Sequence, residues 1–263
     1  MAVFINNIIF GNESFPNFEG IYKSIDLQDN KNIEVKIIFE DDRDITRLIM
    51  AKGWLDETLP KTASVSLFMP YVPYSRMDRK IKGYCFTLKH FCIFINSLNF
   101  DRVKIYDPHS IITTALINRV EEISLQPGIE KIISCENPDY IFYPDNGAVK
   151  KYSEIFNLSM PVFFGNKKRD LSTGKILKYE LVNAPDISGK TILIIDDICV
   201  GGRTFAEAGS ALKEAGASRV VLYVTHMEKA IEKSELLKTD YVDKIYTLDT
   251  MQNKIDHSKI TIL

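Results

Sequence analysis

The stretch Thr191-Ile-Leu-Ile-Ile-Asp-Asp-Ile-Cys-Val-Gly-Gly-Arg-Thr204 restricts the possible folds of this chain more than any other. Four consecutive apolar residues, Ile192 to Ile195, predict a strand buried on both faces, as found inside parallel sheets. Asp196 and Asp197 stand where that strand is expected to end. Gly201 and Gly202 then turn the chain. The following residues predict a helix with an apolar stripe of Phe205, Ala208, Leu212 and Ala215. Thr204 and Glu207 fit a capping box, which marks the helix start. A strand end facing a helix start is the usual ligand crevice of an open α/β sheet. Glycines let backbone N–H groups approach a phosphate, and a helix N-terminus adds positive partial charge. Two anions would repel a phosphate, so Asp196 and Asp197 suit sugar hydroxyls or a divalent cation. A tight turn carrying two solvated aspartates is the plainer alternative. The spacing matches neither the Walker pattern nor Gly-x-Gly-x-x-Gly.

The rest of the chain repeats the strand-and-helix theme. Apolar runs at Val3–Phe10, Ile33–Phe39, Ser64–Met69, Val103–Tyr106, Tyr140–Tyr143, Val162–Phe164, Ile192–Ile195 and Val220–Val224 predict strands. Helical stripes such as Leu88, Phe91, Cys92, Ile95 and Leu98 lie between many of them. This alternation predicts an α/β class with parallel sheets. The 263 residues suit two units of roughly 100–150 residues each. Gln126-Pro-Gly128 is the expected linker, giving domains of 1–126 and 127–263. A short terminal strand, Ile260–Leu263, is expected to pack back on the first half.

Composition excludes several classes of partner. A net charge of −2 without a basic tract gives no case for nucleic-acid binding. No apolar run reaches the ~18–20 residues that cross a bilayer, and the first residues lack a signal-peptide pattern. Cys85, Cys92, Cys135 and Cys199 form no Cys-x-x-Cys pair, so reduced thiols in the cytoplasm are expected.

The 191–204 segment resembles the phosphoribosyl-diphosphate loop shared by type I phosphoribosyltransferases and ribose-phosphate diphosphokinases. That resemblance implies that Asp196 and Asp197 hold the ribose 2- and 3-hydroxyls. Gly201, Gly202, Arg203 and Thr204 would wrap the 5-phosphate. A second segment, Phe68-Met-Pro-Tyr-Val-Pro-Tyr-Ser-Arg-Met-Asp-Arg-Lys80, offers rings for stacking a base and guanidinium forks for phosphate oxygens. A rigid turn with a solvated charge run fits those residues equally well. The segment is similar to the Pro-Tyr-x-x-Tyr-Ala-Arg-Gln-Asp-Arg stretch with which the diphosphokinases contact ATP, and which ordinary phosphoribosyltransferases lack. Arg76 and Asp78 would bind ATP; Met77 replaces the glutamine.

Four shorter matches follow from the same resemblance. Tyr106-Asp-Pro-His-Ser110 resembles Asp-Leu-His-Ala, placing His109 at ATP and at the catalytic magnesium. Tyr143-Pro-Asp-Asn-Gly-Ala-Val-Lys-Lys151 resembles Pro-Asp-x-Gly-Gly-x-x-Arg, placing Asp145 at the ribose and magnesium; taken alone it also reads as a turn before a helix. Asn166-Lys-Lys-Arg-Asp170 resembles the mobile loop whose cations, here Lys167 and Arg169, close over the triphosphate as catalytic groups. Phe39 and Asp41 match residues that complete the adenine pocket of a neighbouring subunit, although Arg43 replaces a glutamate.

Together these matches imply two phosphoribosyltransferase-like domains, each a mainly parallel sheet flanked by helices. They imply a magnesium-dependent diphosphokinase that passes the β,γ-diphosphoryl group of ATP to ribose 5-phosphate, in a homo-oligomer (a dimer or hexamer). The loop departs from the family, because Val200, Gly201 and Arg203 replace its third aspartate, its threonine and its last glycine. A looser and more positive pocket suits an acceptor with a second phosphate, such as ADP-ribose. Compact members of this kind occur in bacteriophages beside nicotinamide-salvage enzymes, which would place the chain in a host cytoplasm. Val200, Met77 and Arg43 also leave open a non-catalytic partner of a true synthetase. Ile81–Phe86 lacks the family's Ser-Arg-x-Pro-Ile loop, so control by phosphate or ADP is not expected.

Overall fold

Alternation of buried and exposed side chains builds the first sheet. β1 (Ala2–Ile5) and β2 (Ile8–Phe10) form a hairpin whose turn places Asn6 and Asn7 at φ 47° and 67°. The expected single strand Val3–Phe10 is therefore two, because asparagine tolerates the left-handed turn that reverses the chain. A small ribbon of β3 (Glu13–Ser14) and β4 (Gly20–Ile21) follows. Then come β5 (Asn32–Ile38), α1 (Arg43–Thr58), β6 (Ser64–Met69), α2 (Thr87–Ser97), β7 (Arg102–Ile105), α3 (Ile112–Leu116) and β8 (Val120–Glu122). The sheet order is β2-β1-β5-β6-β7-β8; β5 to β8 run parallel, and β1 is antiparallel to both of its neighbours. Leu48, Ala51 and Leu55 of α1 and Leu88, Phe91, Cys92 and Ile95 of α2 fill the core against it. Leu98, the last expected member of that stripe, is only partly buried.

The structure, a computed structural model, describes residues 2–28, 30–153, 155–156, 160–169, 176–251 and 255–263. It divides into two units: Met1–Ser124 with Thr250–Gln252, and Leu125–Asp249 with Asn253–Leu263. Gln126, Pro127 and Gly128, just past the division between the units, form the first turn of α4 (Gln126–Glu136) rather than an irregular stretch; proline's fixed φ and missing N–H are tolerated there.

The second unit continues with β9 (Tyr140–Tyr143), α5 (Asn146–Tyr152), β10 (Val162–Arg169), β11 (Ile176–Val182) and β12 (Thr191–Cys199). After these come α6 (Arg203–Glu214), β13 (Arg219–Met227), a 3-10 turn (Lys229–Lys233), α7 (Glu235–Lys238), β14 (Lys244–Thr247) and β15 (Ile260–Ile262). Its sheet has the order β11-β10-β9-β12-β13-β14-β15, parallel except for the β10–β11 pair. The terminal strand pairs with β14 in the second sheet. Ile192 to Ile195 and Val220 to Val224 are fully buried, as expected for strands covered on both faces. Both units have the expected α/β class, each a mainly parallel sheet with helices.

Helix α6 buries Phe205, Ala208, Gly209 and Leu212, whereas Ala215 is exposed because the helix has already ended there. Gly209 permits a backbone-close approach: a Cβ there would lie 2.5 Å from the Tyr241 carbonyl oxygen. Gly209→Ala is expected to destabilise the chain by about 1–3 kcal/mol through overpacking against backbone. Denaturant unfolding that shows no loss would refute this packing.

Candidate functional site

In the second unit, the chain leaves β9 toward α5 and β10 on one side and later returns as β12 on the other. The boundary between β9 and β12 is therefore a topological switch point, where α/β sheets open a crevice at the strand ends. Pairing between these strands runs only as far as Ile194 opposite Phe142, while β12 continues beside β13 to Cys199 opposite Met227. Asp196 and Asp197 thus lie within β12, beyond the point where β9 turns away. The strand is longer than its apolar run predicts, because β13 supplies partners past the carboxylates.

Three carboxylates meet here. Asp145 is the N-cap of α5, and its Oδ1 accepts hydrogen bonds from the Gly147 and Ala148 amides at 3.0 and 3.1 Å. Asp145 thus opens the helix that the turn-before-helix reading expects. Asp197 is buried and paired with Lys151 Nζ at 3.1 Å. Asp196 accepts a 2.9 Å hydrogen bond from the Asp197 amide. Burial, followed by the charges of Asp197 and Asp145, holds the Asp196 carboxyl well above the ordinary aspartate range. Tyr179, on β11, donates to the Pro144 carbonyl at 2.7 Å, and burial pushes its hydroxyl pKa upward, with Asp145, Asp196 and Glu207 adding to the shift. Lys151, Tyr179 and Glu207 carry no site role in the sequence reading; only Lys151, at the end of the Pro-Asp motif, had a signal pointing to it.

The turn beyond β12 differs from the expected capping box. The N-cap of α6 is Gly202 at φ 70°, with no side-chain cap. Phe205 N and Ala206 N both donate to the Gly202 carbonyl. Glu207 instead accepts from Arg203 Nε at 3.0 Å, and its Oε2 is buried with no hydrogen-bond partner among the described residues. Gly201 and the Arg203 side chain are exposed, Thr204 is half-buried, and space is open around Gly201. A Cβ on Gly202 would meet Ser234, Ile231 and Leu236 at 2.8–3.0 Å.

Asn166–Arg169, expected as a loop, is strand. Lys167 lies opposite Tyr179 and Arg169 opposite Ile176 in the β10–β11 hairpin. The side chains of Lys167 and Arg169, with Asp170 and the Leu171–Gly174 stretch, lie outside the described residues.

In the first unit, the expected ATP segments follow β5, β6 and β7. These are adjacent parallel strands, so all three segments emerge at one edge of the sheet. Phe39 packs edge-on against Tyr74 with ring centroids 6.0 Å apart, and the Tyr74 hydroxyl donates to Asp42. Burial, with that hydrogen bond, pushes the Tyr74 pKa to about 12. Tyr71 is buried, so the rings of this segment serve packing more than they offer an open stacking face. Arg76 is exposed, and Asp78 is half-buried beside Arg79 at 3.3 Å. Arg43 grips Asp41 through Nε and Nη2, holding that carboxyl below its usual range. Behind it, buried Asp44 accepts from the Glu40 and Asp41 amides and pairs with Arg47 at 2.7 Å. His109 is exposed beyond β7, next to buried Asp107 at φ 35°.

Among the described residues, no group of three His, Cys, Asp or Glu side chains is arranged to hold a metal ion, and no helix is long and apolar enough to cross a membrane. The donor chemistry still fits magnesium. Asp145, Asp196 and Asp197 are hard oxygen donors with mutual repulsion to relieve, and magnesium commonly takes one or two carboxylates with phosphate oxygens and water.

A strand–acid–turn–helix unit at a switch point defines the phosphoribosyltransferase class. Residues 129–257 match the family model described as "Phosphoribosyl transferase domain". The ribose-phosphate pyrophosphokinase of Sulfurisphaera tokodaii is 29% identical over 77% of this chain and 70% of its own length. That of Hyphomonas neptunium is 30% identical over 72% of this chain and 62% of its own. A crystal structure of phosphoribosylpyrophosphate synthetase from Mycobacterium smegmatis superposes with a TM-score of 0.74 at 20% identity, covering 95% of this chain and 84% of that one. This chain is therefore similar to ribose-phosphate pyrophosphokinases over about three quarters of its length, and it shares the fold of the synthetase.

Two outcomes test the site. Gly202→Ala should cost about 1–2 kcal/mol from the left-handed backbone alone, with steric strain added, whereas Gly201→Ala should leave the melting temperature unchanged. Equal effects at both positions would refute the assigned geometry. Asp196 titrates higher when folded than unfolded, so the unfolded chain gives up that proton first. Stability then falls as pH rises from the ordinary aspartate range through the raised folded value. In the presence of a chelator, Asp196→Asn should therefore melt higher at pH 8 by about 2–4 °C per kcal/mol gained, and the gain should shrink toward acid. A gain independent of pH would contradict this.

Proposed function

We propose that this enzyme transfers the β,γ-diphosphoryl group of ATP to the anomeric hydroxyl of ribose 5-phosphate, releasing AMP. The observation that carries the reading is the convergence of Asp145, Asp196 and Asp197 at the switch point, beside the Gly202-capped start of α6. Carboxylates accept from vicinal hydroxyls, and a helix start binds a phosphate through its first N–H groups. One site then recognises both ends of a phosphorylated pentose. Asp196 and Asp197 orient the ribose, with Lys151 offsetting part of their charge. Gly201, Gly202, Arg203 and Thr204 receive the 5-phosphate.

ATP belongs to the sheet edge of the first unit, where Arg76, Asp78 and His109 are its expected contacts, with Phe39 and Asp41 completing the adenine pocket of a neighbouring subunit. Magnesium, held by Asp145 with substrate oxygens, would supply charge neutralisation to the migrating diphosphate. Lys167 and Arg169 would add cations to the same group. Such a transfer needs alignment of the attacking hydroxyl and a neutralised phosphoryl group more than covalent catalysis. The family likeness also supports a homo-oligomer, and four free cysteines suit a reducing cytoplasm.

ADP-ribose is the second acceptor worth testing, because the exposed Arg203 stands at the loop in an exchangeable pair with Glu207. AMP release from magnesium and ATP, measured with ribose 5-phosphate and with ADP-ribose, separates the readings. Ribose 5-phosphate alone supports synthesis of phosphoribosyl diphosphate, and ADP-ribose alone supports the larger acceptor. Release with neither refutes catalysis and favours a non-catalytic partner. Asp196→Asn with Asp197→Asn should lower acceptor-dependent turnover by more than about a hundredfold, the combined loss of two carboxyl hydrogen bonds to the acceptor, with ATP binding retained. Unchanged turnover would refute the hydroxyl-holding role.

A further inference from the structure

The 5-phosphate loop rests on a residue far from it in sequence. Ser234 is buried where the 3-10 turn meets α7, and its Oγ donates to the Gly201 carbonyl at 2.6 Å. The same oxygen accepts from the Leu236 amide at 3.1 Å, capping α7. A hydroxyl has one proton and two lone pairs, so the proton is committed to Gly201 while a lone pair serves the cap. Ile231 and Leu236, both fully buried, close around Gly202 beside it. The Glu228 amide also bonds the Cys199 carbonyl at 2.8 Å, tying the segment after β13 to the end of β12.

The peptide between Gly201 and Gly202 is planar, so fixing its carbonyl fixes its amide. That amide faces the buried Cys199 sulfur. Both edges of the plane are therefore turned into the protein. The first intrahelical donors are Phe205 N and Ala206 N, so the turn at Arg203 and Thr204 precedes the first helical hydrogen bonds. Gly201 has no steric need to hold this shape, since space around it is open. Without a tether, a Gly-Gly pair samples many backbone conformations.

We infer that Ser234 is a positioning residue for the acceptor's phosphate: it orients the Gly201–Gly202 peptide so that the start of α6 faces the ligand. This rests on the acceptor site proposed above. Ser234 touches no reacting atom and acts only through the loop.

The test compares Ser234→Ala with the matched pair Ser234→Thr and Ser234→Val, which are alike in volume and differ in the hydroxyl. Ribose 5-phosphate binding to each chain is measured by calorimetry, and KM values for acceptor and ATP are taken alongside. Ser234→Ala should weaken acceptor binding and raise acceptor KM about fivefold to tenfold, the net worth of one hydrogen bond, with ATP KM unchanged. Ser234→Thr should stay near the parent, and Ser234→Val should behave as the alanine variant. If the alanine variant fails to fold, the threonine–valine pair carries the comparison. Equal rises in both KM values, or indistinguishable threonine and valine variants, overturn the inference while leaving the acceptor site standing. A parent chain that binds no ribose 5-phosphate overturns the acceptor site itself.

Discussion

Negative charge packed into an apolar strand is the constraint on which the second unit depends. β12 enters the sheet through four fully buried residues and then carries Asp196 and Asp197 between neighbours that are themselves buried. Buried carboxylates are tolerated only where partners or a ligand offset them. Lys151 serves Asp197, the Asp197 amide serves Asp196, and the α5 amides serve Asp145. Asp196 remains undercompensated, which is why its proton is held so firmly. A hydroxyl-rich ligand, a cation or a proton can complete it. The fold thus keeps at its switch point a charge that stability alone would not select.

The first unit solves a different problem with a similar plan. Its sheet edge must present cations and keep their loops in place without a buried acid cluster. Asp44 does this from within α1, holding two amides of the Phe39–Arg43 turn while Arg47 neutralises it and reaches the Gly11 carbonyl at 3.0 Å. Tyr74, at a left-handed φ of 62°, ties the loop after β6 to the loop after β5 through Asp42. The cations Arg76 and Arg79 are left on the outside of this scaffold.

How much of this was legible in the sequence depended on whether the signal was local. Ser64–Met69 and Tyr140–Tyr143 match their strands residue for residue, because a buried strand writes its own apolar run. β12 outran its run, since two aspartates interrupt the apolar pattern and the partners beyond them lie on β13. β14 carries mixed polar and apolar residues in only four positions, and no periodicity announces it. Gln126-Pro-Gly128 has turn composition yet opens a helix, where proline at the start is favourable rather than disruptive. Thr204 and Glu207 have capping-box spacing, but Gly202 had already taken the cap by adopting a conformation open to glycine. The carboxylates of the site could be named from their motifs. Lys151, Asp44 and Ser234 act across contacts 46, 3–4 and 33 residues away, so the two long-range partners left little local trace.

The loop's departures from the family pattern have a common electrostatic sense. Val200 removes a negative charge from the turn, and Arg203 adds a positive one at the first residue of α6. A cation at a helix N-terminus is unfavourable, because the helix dipole already makes that end positive. Glu207, one turn along, offsets the cation, at the cost of burying its second oxygen without a hydrogen-bond partner among the described residues. An arrangement that pairs an unfavourable cation with an undersatisfied anion is weakly held in the absence of ligand. A phosphate at the loop would supply the charge that both the helix start and Arg203 lack, and Glu207 would then be free to rearrange. The substitutions therefore favour an anionic ligand at this turn more strongly than the family's glycine would, whichever pentose carries it.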